Sequence, residues 1–119
     1  MAVATTAETK PGQHPREVRA SLGISREQMA RLFDVSARTI ERWEARDDPP
    51  PGRAARRLLA QLQEIADLAH IVYTPKGVER FMTTPFPVFD GHTALEVIEA
   101  GDASAVFGAL AADYEGSIT

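Results

Sequence analysis

The chain has 119 residues, of which 44% are hydrophobic and 25% charged, which suits one compact domain with a small companion and excludes a fully disordered chain. Its formal net charge of -4 argues against a uniformly basic nucleic-acid binder, and the absence of cysteine excludes a disulfide framework and thiolate chemistry. The longest apolar stretch, Leu68 to Tyr73, contains His70 and is far too short for a membrane span, and the opening Met-Ala-Val-Ala lacks a signal peptide's pattern, so a cytoplasmic protein with no membrane partner is expected.

The charge is unevenly spread. From Pro15 to Arg57 ten Arg stand against seven Asp or Glu, a net of +3, whereas from Leu58 onward Lys76 and Arg80 stand against nine acidic residues, a net of -7. Such asymmetry suits a nucleic-acid surface at one end and a protein-binding surface at the other.

Residues 1–13 combine small and polar residues with Pro11 and Gly12 and show no apolar periodicity, which predicts a disordered tail. Pro15 is placed to open a helix, where its missing N–H costs nothing, and Gly23 to end it in a left-handed conformation, with Val18 and Leu22 facing inward. Ser25 and Gln28 form a capping-box pattern that starts a second helix, whose apolar stripe is Met29, Leu32 and Phe33. A turn at Asp34-Val35 follows, and Ser36 can cap a third helix with Ile40 and Trp43 on one face and Ala37, Arg38, Glu41 and Arg42 outside it.

The run Asp47-Asp48-Pro49-Pro50-Pro51-Gly52 cannot continue a helix, because consecutive prolines lack donors and restrict the preceding residue. Arg53 to Val72 has the spacing of a long helix, with Leu58, Leu59, Leu62, Ile65, Ala66, Ala69 and Val72 at helical intervals. Thr74-Pro75 opens a short helix that runs through Met82 and is stopped by Pro85 and Pro87. Thr93 to Ala100 is a further helical segment ended by Gly101, and Asp102 can cap a last helix carrying Val106, Phe107 and Leu110. No segment alternates with the period of a strand, so the fold class is all-α.

The segment Ser25 to Glu44 resembles the helix-turn-helix of the Xre and phage-repressor families. Ala30 is the small residue where two helices cross closely, Val35 plugs the turn, and Ile40 and Trp43 anchor the second helix. Where that family often has Gly this chain has Asp34, which tolerates a left-handed backbone better than most residues. In such a motif the second helix enters the major groove, which nominates Ala37, Arg38, Thr39 and Arg42 near base edges. Arg38 has the fork to meet guanine, and the methyls of Ala37 and Thr39 can meet thymine methyls. Ser25, Arg26, Gln28, Ser36 and Arg42 are candidate phosphate contacts, which hold register. An acidic C-terminal half limits the affinity of a lone protomer, so a homodimer on two half-sites of double-stranded operator DNA is expected.

His14, His70 and His92 are scattered and lack the spacing of a metal site, and no glycine-rich phosphate loop or catalytic triad pattern is present, so neither a metal, a cofactor nor an enzymatic activity is expected.

From Phe81 onward the pattern is aromatic-Met-x-x-Pro, a loop with Asp90, Thr-Ala-Leu-Glu-Val-Ile-Glu-Ala-Gly, then Val106 and Gly116. It resembles the toxin-binding domain of MbcA/ParS/Xre antitoxins, although Phe81 stands where that family often has Trp and Ala94 where it often has Pro. Together with the helix-turn-helix, the resemblance covers nearly everything after the tail. It implies a tail at 1–13, a DNA-binding domain with its long fourth helix at 14–73, and a helical toxin-binding domain at 74–119. It also implies a partner, a RES-domain toxin that depletes NAD and is encoded beside this gene, and repression of the shared promoter. In that family the C-terminal end approaches the toxin's active site, which implicates Tyr114, Glu115, Gly116, Ser117, Ile118 and Thr119, with Gly116 letting the backbone bend in and Ile118 plugging a pocket. The alternatives are a free-standing Xre-type regulator whose C-terminal helices only dimerise, and an interaction module that has kept the helix-turn-helix shape without DNA binding.

Overall fold

The computed structural model describes residues 14–46 and 50–118, with no side chains described for 117 and 118. The expected tail at 1–13, half of the Asp47–Gly52 linker and Thr119 lie outside the described residues. The elements follow in the order α1 Pro15–Leu22, α2 Arg26–Phe33, α3 Ala37–Arg46, α4 Arg53–Val72, α5 Pro75–Thr83, a short 3-10 turn Pro87–Phe89, α6 Ala94–Glu99 and α7 Ala103–Ile118. The fold is all-α, as the periodicity predicts, and no strand occurs among the described residues.

The helix ends are set locally. Pro15 opens α1, and Gly23 closes it at φ 69° with its N–H on Ala20 O and the Ile24 N–H on Arg19 O. This pair of bonds satisfies carbonyls that a helix end would leave bare. Asp34 closes α2 by the same pair, to Arg31 and Ala30, at φ 57° and ψ 47°. The side chain expected to tolerate a left-handed backbone therefore adopts one. Thr74 caps α5, whose first residue is Pro75, and Thr93 and Glu96 form a capping box at α6. Ala94 takes the first position of α6, which accounts for proline at that place in the resembling family. Asp102 accepts the Ala105 N–H at 3.2 Å and so caps α7.

A single hydrophobic core runs through both halves. Val18, Leu22, Met29, Ile40, Leu59, Leu62, Val78, Met82, Val106 and Leu110 are all fully buried within it. Burying each such side chain contributes roughly 1.5–3 kcal/mol, and sharing them lets a small C-terminal segment stand on the first. Helix α4 is the strut, packed against α1 and α5 on the way to its most extensive contact, with α7. Phe107, expected among the apolar residues of the last helix, is 39% exposed because the inward stripe of α7 is Ala103, Val106 and Leu110. No helix among the described residues is long and apolar enough to cross a membrane.

Candidate nucleic-acid interface and C-terminal surface

Helix α3 is oriented by its inward residues. Ile40 is fully buried, and Trp43 is half-buried with its ring edge-on to Phe33, centroids 5.4 Å apart and planes at 80°. With those two facing the core, Arg38, Glu41 and Arg42 are exposed and Ala37 and Thr39 partly so. Ser36 Oγ accepts the Thr39 N–H at 3.1 Å and lies 3.1 Å from Thr39 Oγ1, while Arg42 Nη2 donates to that hydroxyl at 3.4 Å. The structure thus brings Ser36, Thr39 and Arg42 into one polar row. Among the described residues the Arg38 side chain has no hydrogen-bond partner, so its whole fork faces solvent.

At the start of α2, Ser25 Oγ accepts the Gln28 N–H at 3.1 Å and Gln28 Oε1 accepts the Ser25 N–H at 2.8 Å. The expected capping box therefore exists. It occupies the Gln28 oxygen and leaves its amide nitrogen to meet an acceptor. Arg26, nominated as a phosphate contact, is committed in part: its Nε donates to Glu44 Oε1 at 3.0 Å, while the side chain remains 42% exposed. Its terminal nitrogens are the ones available to an anion.

Glu44 is the residue that the sequence left unmarked. Only 3% exposed, it is the buried charged residue of the described core. Arg19 of α1 meets it with two hydrogen bonds, Nε to Oε2 at 2.6 Å and Nη2 to Oε1 at 3.2 Å, and spends Nη1 on Ile24 O at 3.1 Å. Burial pushes the Glu44 carboxyl up, but the hydrogen bonds and charges of Arg19 and Arg26 outweigh it and hold the group below its ordinary 4.5. The result is an ionic clamp that ties α1, α2 and α3 together. A signal for it was present, since Glu44 lies four residues after Ile40 on the inward face of α3.

In the C-terminal half, Tyr73, Phe81, Phe86 and Phe89 form a chain of ring contacts with centroids 5.6 to 6.4 Å apart. Phe81 is at its centre, where the resembling family often carries Trp. The Tyr73 hydroxyl donates to Asp113 Oδ2 at 2.9 Å, joining the end of α4 to α7. Burial first, then this hydrogen bond and the Asp113 charge, push the phenol up to about 12. Tyr114, Glu115 and Gly116 are exposed near the end of α7. Helix α7 runs through Gly116 to Ile118, because the Ala-rich stretch before it favours continued helix and one glycine costs only about 1 kcal/mol. Ser117 and Ile118 continue that helix, and Thr119 lies outside the described residues.

Residues 16–68 match the helix-turn-helix family. The matched segment folds as a helix-turn-helix. The domain so defined begins in α1 and ends within α4, so it contains the capping box, the Asp34 turn, α3 and the Glu44 clamp. No curated protein matches the chain. Among solved structures, a chain in the crystal structure of the M. tuberculosis MbcT-MbcA toxin-antitoxin complex has the same fold, with a TM-score of 0.74 at 22% identity, over 88% of this chain and 94% of that one. That shared fold extends well past the helix-turn-helix domain into α5, α6 and α7.

Proposed function

We propose that the chain is an antitoxin that binds operator DNA through α3 and a toxin through its C-terminal half. The observation that carries this reading is the fold shared along nearly the whole chain with a chain of a toxin–antitoxin complex, joined to the helix-turn-helix match over its first half. The functional units are residues 14–73 for DNA and 74–119 for the toxin. The partner is a RES-domain, NAD-depleting toxin encoded beside this gene, and binding to the shared promoter makes the pair self-regulating. The protein acts in the cytoplasm as a homodimer, so that two copies of α3 meet two half-sites about one helical turn apart.

On DNA, Arg38 is the residue that reads a guanine, because its fork is unengaged, and Ala37 and Thr39 present methyls beside it. Ser25, Arg26, Gln28, Ser36 and Arg42 hold phosphates. Tyr114 to Thr119 contact the toxin. Expression of the neighbouring gene alone should arrest growth, and co-expression of this chain should restore it. A neighbour that is harmless, or whose harm this chain does not relieve, contradicts the antitoxin reading. Deleting Ser117 to Thr119 should spare DNA binding and weaken neutralisation.

A further inference from the structure

The outward side of α7 and the 3-10 turn carry two cavities that share Val88 as a wall, and together they make a groove. The first, about 340 Å³, is lined by Tyr73, Phe81, Phe86, Ala109 and Ala112, with Asp113 at its edge. The second, about 470 Å³, has Phe89, Val97 and Ala105 as apolar lining and Asp90, Glu96 and Asp102 as acids, with His92 beside them. Val88 borders both and is 67% exposed. Ala105, Ala109 and Ala112 recur at helical spacing, so the floor is shallow enough for another helix to approach closely.

Two observations say what fits there. From Ala103 to Ala112 helix α7 is apolar nearly all round, a pattern that belongs to a covered helix, and yet Ala105, Phe107 and Ala112 are exposed. The rim is also one-signed: among the described residues no Lys or Arg lines either cavity, whereas four carboxylates do. The Glu96 carboxyl, held below its ordinary value chiefly by the Thr93 N–H, is charged at neutral pH. The occupant must therefore offer apolar side chains to the aromatic cavity and cationic ones to the acidic cavity.

We infer that this groove is the docking site for an amphipathic helix of the protein partner, with an apolar anchor against Phe81, Phe86 and Ala109 and an Arg or Lys reaching Asp90 and Asp102. The inference rests on the toxin-binding reading and places the contact on α7 and the 3-10 turn, in addition to the chain's end. The test uses the full chain and the protein encoded by the adjacent gene, measured by isothermal titration at two salt concentrations. Val88→Glu, an exposed position, and Ala109→Glu should each lower affinity at least 30-fold. Asp90→Asn with Asp102→Asn, which keep the left-handed turn and the α7 cap, should lower it 5-fold or more and flatten its salt dependence. Operator binding and helical content should stay at the level of the unsubstituted chain, which shows that the variants fold. A complex that forms with unchanged affinity in Val88→Glu and Ala109→Glu overturns the groove and leaves the antitoxin reading standing. No complex with the unsubstituted chain overturns both. A homodimer that dissociates in Val88→Glu while partner binding persists overturns the assignment of occupant in favour of a second copy.

Discussion

Arg19 of α1 places two guanidinium nitrogens on the Glu44 carboxylate of α3, at 2.6 and 3.2 Å, and Arg26 of α2 adds a third hydrogen bond at 3.0 Å. The geometry of α3 thus depends on a charge that solvent barely reaches. Removing one partner of such a pair strands the other, which is the expensive case. Glu44→Ala should cost about 3 kcal/mol in urea unfolding, because two arginines lose their acceptor inside the helix-turn-helix. Arg26→Ala should cost about 1 kcal/mol or less, since that side chain is 42% exposed and its charge is screened by solvent. Equal losses for the two variants would contradict the clamp's hierarchy.

The same carboxylate sets an acid limit. Its folded value lies below the ordinary 4.5, so the unfolded chain binds the proton more readily. Its contribution is therefore complete above that value and is lost as pH falls through the folded one. Stability should be level from pH 7 down to about 5.5 and fall below it. Glu44→Gln should fall less steeply over the same acid range, and a parallel slope would remove Glu44 as the cause.

At the other extreme stands Tyr73. With its phenol raised from 10.0 to about 12, the neutral form is favoured in the folded chain. Its contribution is present below pH 10 and disappears as pH rises toward 12. Ultraviolet titration should show a tyrosine ionising near pH 12, and that step should vanish in Tyr73→Phe.

Asp34 holds a left-handed backbone at φ 57°. Glycine adopts that region without a Cβ penalty, so Asp34→Gly should raise stability by up to about 1 kcal/mol, read as an increase in thermal midpoint with DNA binding unchanged. A loss of stability would mean that the aspartate side chain, rather than the backbone, is what closes α2.

On DNA, Arg38→Ala should cost about 1–3 kcal/mol on the cognate operator and relax preference at one base pair. Arg42→Ala should weaken binding to all sequences and reduce the salt slope by about one. Selection of binding sites from a random pool, compared between the two variants, separates these roles. A site preference unchanged by Arg38→Ala would take that residue off the base edges.

Much of this was legible in the sequence because the signals are local. Pro15, Gly23, Ser25, Gln28, Thr74, Pro75 and Asp102 each act within four residues of themselves, and each stands where the capping rules place it. The inward position of Glu44 was legible from its spacing to Ile40, but its partners were not, since they lie 25 and 18 residues away and only the folded packing of α1 and α2 brings them to it. The same holds for the groove: Val88 and Ala109 are ordinary apolar residues until the 3-10 turn is laid across α7. Which of Val106 and Phe107 faces inward was likewise left open by helical spacing, and Val106 takes the inward position.

The central claim is that one chain holds DNA and a protein partner at once, with separate halves. Native mass spectrometry of the chain co-expressed with its neighbour and mixed with promoter DNA tests this most directly. The expected result is a ternary species containing two copies of the chain, the partner and one duplex, in which Arg38→Ala depletes only the DNA and Val88→Glu only the partner. A chain that binds the duplex and never carries the partner would contradict the account.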